Sequence, residues 1–336
     1  MDWEFKEIVE AHQLTKAGFE KEVLDGAKPV TLRGFASKWP LIKSQQTSPE
    51  ALIGYLDTFY SQKPVVTWLA PREEQGRFFY NKDLSGFNFS RKQSHLTECL
   101  KAVMSVDKGN VNFPDVYIGA SALSEFLPGL KEQNPNPLVP ENCDANLWVS
   151  TRSLVAPHID MSDNIAVVVS GRRRFTLFPP EQVVNLYLGP LDFTPAGQPL
   201  SLVDIRNPDL ERFPRFAEAQ KHSQSVVLEP GDAIYIPSTW WHGVEALDDI
   251  NLLINYWWNS ARQAASPYQT LIHALVSIAQ LPAAQRKNWQ ELFNALVFQL
   301  ERPAMEHLPE EKRGPHRQLS PEMAQRIKAY LKKSLI

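Results

Sequence analysis

The chain has 336 residues, 43% hydrophobic and 22% charged, a globular balance with enough apolar material for a sizeable core. Its formal net charge is −3 with acids and bases interspersed, which argues against a nucleic-acid partner gripped by a basic stripe. Two cysteines, Cys99 and Cys143, form neither a disulfide framework nor a CxxC pair, so any metal must be held by histidine and carboxylate.

The N-terminus MDWEFKEIVE is charged from its second residue and has no apolar stretch. No secretory signal is expected, and a cytoplasmic location is. No apolar run reaches the roughly 18 residues of a membrane span. Residues 1–110 read as a helical and mixed region packed on the core. Within it, KPVTLRGF has a strand pattern with Pro29 at its start, while SPEALIGYLDTFY and SHLTECLKAVMSV read as short helices.

From about Asn146 to Ser260 short strands alternate with turns: NLWVS, NIAVVVSG, RRRFTLFPP, SVVLEPGDAIYIP, HGVEAL and INLLINYWW. Strands at this spacing predict a barrel or sandwich of the jelly-roll kind, taken here as residues 111–260. A Pro-containing insert, residues 181–222, interrupts it and is expected to build a site mouth. Residues 261–336 turn helical. Ser266-Pro267 is a start signal, and Trp289, Leu292, Phe293, Leu296, Val297 and Leu300 repeat at helical spacing up to Pro303. Ser320-Pro321-Glu322 opens a further helix carrying Met323, Ile327, Tyr330 and Leu331. These helices either pack on their own core or join two copies in a homodimer. The expected class is mainly β with flanking helices (α+β).

Two short stretches carry the chemistry. In VAPHID, His158 and Asp160 are two apart, so in a strand they point to one face. In PSTWWHGVE, His242 follows two tryptophans on a later strand and can complete a set of three. Two histidines and one carboxylate on one face of an octahedron leave three positions open, the arrangement of non-haem Fe(II) oxygenases. The competing reading is an ordinary hydrogen-bonded pair at a strand end. His12, His95, His222, His273, His307 and His316 lack a partner at ligand spacing and read as structural or exposed. If the cosubstrate is 2-oxoglutarate, its distal carboxylate needs a cation inside the barrel. Arg173 alternates onto the face of Phe175 and Leu177, whereas Arg172 and Arg174 fall on the opposite, solvated face. A structural ion pair is the alternative for Arg173. Asn164 and Asn255 could hold the metal-side carboxylate, or simply satisfy backbone. Trp240, Trp241, Trp257 and Trp258 shape either mouth or core.

The runs PHIDMSDNIAVVVSGRRRFTLFPPEQ, DIRNPDLERFPRF, LEPGDAIYIPSTWWHGVEAL and INYWW together resemble the cupin-like Jumonji-C oxygenases, with asparaginyl hydroxylases of the factor-inhibiting-HIF type as the well-known branch. The likeness runs from about residue 28 to 258. It implies a double-stranded β-helix closed around Fe(II), with His158, Asp160 and His242 as ligands and 2-oxoglutarate and O2 consumed. It puts Arg173 where that branch has a lysine for the distal carboxylate, and Tyr117, in FPDVYIGAS, where a tyrosine meets the same group. It puts Asn164 and Asn255 on the cosubstrate side. Val155 stands where a hydroxyl residue is common, and Pro157 sits one place later than usual. The implied activity is hydroxylation of a protein side chain or small molecule, with decarboxylation of 2-oxoglutarate to succinate, by an enzyme that dimerises through C-terminal helices. The rivals are a metal-holding cupin sensor without turnover and a cosubstrate-free cupin enzyme.

Overall fold

A computed structural model describes residues 3–11, 14–105, 113–259, 266–298, 305–313 and 320–334. His12, His316, Leu300, Pro303 and the expected boundaries at residues 110–111 and 260–261 lie outside them. The chain divides into two compact units, Met1–Trp258 and Asn259–Ile336.

Among its described residues the first unit has thirteen strands: β1 (Val9–Glu10), β2 (Val30–Leu32), β3 (Val65–Ala70), β4 (Ser90–Ser94), β5 (Asp115–Ala122), β6 (Ala145–Ser150), β7 (Ser153–Ile159), β8 (Asp163–Ser170), β9 (Arg173–Phe178), β10 (Gln224–Leu228), β11 (Ala233–Ile236), β12 (Trp241–Ala246) and β13 (Asn251–Trp258). The small sheet has the order β10-β9-β12-β7. The large sheet runs β1-β2-β11-β8-β13-β6-β5-β3-β4. Strands β6 to β13 alternate between the two sheets except at the β9-β10 pair, which stays in the small sheet, the pattern of a jelly roll, the double-stranded β-helix of cupins. The earlier strands extend the large sheet at both edges. The turn of SVVLEPGDAIYIP is made by Gly231, whose φ of 97° lies in the left-handed region that glycine enters without strain.

Alternation along β8 divides its apolar residues between two cores. On β8, Ile165, Val167 and Val169 face outward onto the helices Pro40–Thr47 and Pro49–Asp57 and belong to a large outer core with Phe19, Leu41 and Leu56. Ala166 and Val168, on the other face, join Phe175, Leu177, Ile236 and Leu253 inside the barrel. This is the period-two division expected of a sheet buried on both faces. The insert 181–222 covers the outside of the small sheet. There Val203, Ile205 and Phe216 pack on Phe178 and Trp241.

The second unit contains helices Pro267–Ser277, Ala283–Phe293 and Pro321–Ser334. Ser266 caps the first, its hydroxyl accepting from the Gln269 N–H. Among the described residues no helix is long and apolar enough to cross a membrane.

Arg174 differs from expectation. Its opposite-face position is right, but it is not simply solvated: it pairs at 3.2 Å with Glu245, a buried carboxylate on the neighbouring β12. Arg206 of the insert pairs with the other oxygen of Glu245 at 3.1 Å. One buried acid thus ties the insert to the small sheet, and period-two alternation alone does not show which outward positions an insert will cover. Removing Glu245 leaves two arginines without their partner. Glu245→Ala is expected to cost about 3 kcal/mol in urea unfolding. Arg152→Ala, which breaks an exposed pair with Asp249, is expected to cost less than about 1 kcal/mol.

Candidate functional site

Strand β12 lies between β7 and β9, and its register places His242 directly opposite His158. The two imidazole centroids are 4.3 Å apart. Asp160 follows the last residue of β7, and its carbonyl accepts from the Thr239 N–H at 2.9 Å, which fixes the chain as it leaves the strand. Nε2 of His158 is 4.0 Å from Asp160 Oδ1, and Nε2 of His242 is 3.5 Å from Asp160 Oδ2. Among the described residues this is the one group of three or more potential ligands, with ligand atoms all within 4.8 Å of one another.

The tautomers suit metal binding. Nδ1 of His158 meets the carbonyl of Ala156 at 2.9 Å, and Nδ1 of His242 meets that of Trp240 at 3.0 Å. A carbonyl can only accept, so both Nδ1 atoms carry the proton and both Nε2 lone pairs face the gap. Burial, and then the neighbouring His242, push the His158 imidazole down to about 4, which keeps it neutral and able to ligate at neutral pH. Burial works to raise the Asp160 carboxyl. The two histidines and the Trp257 indole outweigh it and hold the group below the usual carboxylate range.

Asp160 is also the end of a hydrogen-bond chain. The Trp148 indole donates to Asn255 Oδ1 at 2.7 Å, Asn255 Nδ2 donates to Asn164 Oδ1 at 3.2 Å, and Asn164 Nδ2 donates to Asp160 Oδ2 at 3.2 Å. Trp257 Nε1 donates to the same Oδ2 at 2.9 Å. Every donor in the chain points toward the carboxylate. Oδ2 is therefore heavily engaged, which leaves Oδ1 as the better placed ligand atom. Asn164 and Asn255 do sit at the site, but the contacts they make are with this chain of side chains. Of the four tryptophans, Trp241 and Trp258 are core and Trp257 lines the cavity. Trp240 donates from its indole to the Ala27 carbonyl.

Above the triad lies a cavity of about 450 Å³. Arg173 projects into it from β9, on the face of Phe175 as alternation predicts. Its residue is 3% exposed, and Nε and Nη2 have no hydrogen-bond partner. Burial draws the guanidinium down to about 10, still cationic at neutral pH, and the titratable group acting on it is the Tyr117 phenol, which is itself neutral there. The structural ion pair offered as an alternative for Arg173 is therefore absent among the described residues. Tyr117 lines the same cavity, and burial raises its phenol, so it remains a hydroxyl donor. Gly119 makes room for this arrangement: a Cβ there would lie 2.8 Å from the Tyr117 ring and 2.9 Å from that of Trp148. Pro195, Ala196, Gln198 and Leu200 of the insert also line the cavity.

Sequence reasoning missed the roles of Trp148 and Trp257. The signal for Trp257 was present: it is two residues after Asn255 on β13 and so shares its face. Of the other described histidines, His222 pairs with Glu218 on its own helix and His95 packs edge-on to Tyr60, both away from the cavity.

The sequence profile of the cupin-like domain matches residues 16–264. Curated relatives include HSPB1-associated protein 1 of Homo sapiens, 37% identical over 116 residues, which are 34% of this chain and 23% of that protein. Lysine-specific demethylase JMJ31 of Arabidopsis thaliana is 34% identical over 123 residues, 36% of this chain and 22% of that protein. Lysine-specific demethylase 8 of Danio rerio is 26% identical over 270 residues, 76% of this chain and 59% of that protein. The chain thus spans between a fifth and three fifths of these relatives. They support the Jumonji-C resemblance, but not the finer likeness to asparaginyl hydroxylases.

The bracing of Asp160 has a measurable consequence. Trp257→Phe keeps the ring and removes the donor, and is expected to weaken metal binding by about 10- to 100-fold in an anaerobic Co(II) titration. Unchanged affinity would mean that the indole does not orient the ligand.

Proposed function

The chain belongs to the cupin-like domain family, and from that premise we propose that it is an Fe(II)- and 2-oxoglutarate-dependent oxygenase that hydroxylates a C–H bond. Arg173 is the observation that carries this reading. A buried cation without a partner costs several kcal/mol, and such a group persists where a ligand supplies the missing charge. The fork of a guanidinium matches a carboxylate in shape and charge. Its place in the same cavity as three convergent metal ligands suits a ligand with one end on the metal and a carboxylate at the other.

In this reading His158, Asp160 and His242 hold the iron, and Arg173 with Tyr117 holds the distal carboxylate of the cosubstrate. Bound iron and 2-oxoglutarate supply the oxidising power to attack an unactivated C–H bond with O2, releasing CO2 and succinate. The protein's own work is positioning. The Nδ1–H bonds to backbone fix both imidazoles, and the indole and amide chain fixes Asp160. The apolar barrel walls, Phe175, Val244 and Leu253 among them, keep water from the reacting centre. No side chain of the triad is needed as a general acid or base. Relatives named for lysine demethylation favour a protein substrate.

Arg173→Met tests the reading in two directions. It is expected to weaken 2-oxoglutarate binding by about 30-fold or more in calorimetry on the metal-loaded protein and to abolish succinate formation, with metal affinity retained. It is also expected to raise the melting temperature of the cosubstrate-free protein, because an unpaired buried charge is replaced by an apolar chain. Succinate formation at the native rate in this variant would show that Arg173 does not hold the cosubstrate. Metal binding with no 2-oxoglutarate binding in the native protein would favour a sensor.

A further inference from the structure

The outer cavity says what kind of group the site accepts. The cavity lining includes Trp68, Phe78, Ala120, Trp257, Pro195 and Gln198. Among the described residues lining the cavity, Asp160 is the sole carboxylate, and it faces the metal position. With a divalent ion on Asp160 and the cation of Arg173, two net positive charges remain, and the two carboxylates of the cosubstrate match them. Nothing negative is left over for a third component.

The rim adds a cation of its own. Phe193, Phe87, Phe89 and Trp68 form a stack of near-parallel rings, with successive centroids 4.8, 5.3 and 4.4 Å apart and interplanar angles of 15°, 17° and 7°. The stack leads from Phe193, which is 37% exposed, to Trp68 in the cavity wall. The Arg91 guanidinium lies 4.9, 5.7 and 5.5 Å from the Trp68, Phe87 and Phe89 centroids, and donates at 2.7 Å to the Pro195 carbonyl. These ring faces therefore already serve the protein's own cation, and a second one beside it would be repelled.

We infer that the substrate group presented to the metal is uncharged, and that the cavity discriminates against alkylammonium groups, methylated ones included, of the same size and shape. This rests on the oxygenase reading, since the charge balance counts its metal and cosubstrate. A cation entering this partly dehydrated cavity gives up hydration and gains no counter-charge. A neutral amide, alcohol or hydrocarbon side chain gives up far less, and the aromatic and proline walls suit it. The family names of demethylating relatives do not carry over to this chain's pocket chemistry.

Two probes of one shape separate the cases: choline, and its neutral carbon analogue 3,3-dimethylbutan-1-ol. The protein is loaded with Mn(II) in place of iron, and 2-oxoglutarate binding is first measured by calorimetry. Absence of that binding sinks the oxygenase reading, and this inference with it, by a signal separate from the probes. Proton relaxation of each probe by the bound Mn(II) is then compared. The neutral probe is expected to show roughly tenfold greater enhancement than choline at equal concentration. Equal enhancement, including none for either probe, or greater enhancement for choline, overturns the inference. Ala120→Asp adds a carboxylate at the rim, at a left-handed position (φ 48°) that aspartate tolerates. It is expected to narrow or invert the ratio. An unchanged ratio would show that charge does not set the preference.

Discussion

Much of this molecule depends on the register of β12 between β7 and β9. That one alignment puts His242 opposite His158 and leaves Glu245 beside Arg174 on the outer face. Side chains alternate with a period of two, so a slip of one residue would turn His242 out of the barrel and bury its outward neighbours instead. The register is pinned from both sides. Trp241 and Phe178 are locked into the core beneath the insert, and Phe175 and Leu177 fill the barrel interior. The convergence of His158 and His242 is thus a by-product of how two apolar faces are satisfied at once.

Inside the barrel the electrostatic arrangement is incomplete by design of the sequence. Asp160 takes the donors Asn164 and Trp257 on Oδ2 alone, and Arg173 has fewer acceptors than burial demands. The two imbalances lie in the same cavity. In the proposed reading a divalent ion and a dicarboxylate would correct both, which a protein side chain at either place would prevent. The contrast with Glu245 is instructive. There a buried charge is fully paired by two arginines and holds structure together, and it reads as architecture. Arg173, equally buried and unpaired, reads as a receptor.

The jelly roll was legible because its strands are short, evenly spaced and separated by strong turn signals such as Glu229-Pro230-Gly231-Asp232. The triad was legible because HxD fixes two side chains on one face, and a histidine after a Gly-Asp turn and a strand falls near it. Arg173 was legible from alternation alone. What escaped was cross-strand. Nothing within a single strand shows that Trp148 reaches Asn255, or that Arg206, on a loop, reaches Glu245. The aromatic ramp lay between these cases. Phe87, Phe89 and Arg91 alternate within FNFSR, a period-two pattern that marks one face. Only the fold shows that Phe193 of the insert and Trp68 of β3 continue the stack.

The central claim is that one cavity holds a metal and a 2-oxo dicarboxylate together. It is tested most directly by adding 2-oxoglutarate to the Fe(II)-loaded protein without oxygen and recording the visible spectrum. Chelation of iron by the 2-oxo acid produces a charge-transfer band. The account predicts that band at one equivalent of 2-oxoglutarate, and its loss in His242→Ala, which removes a ligand. A protein that binds Fe(II) tightly yet shows no band at any concentration of 2-oxoglutarate would contradict it.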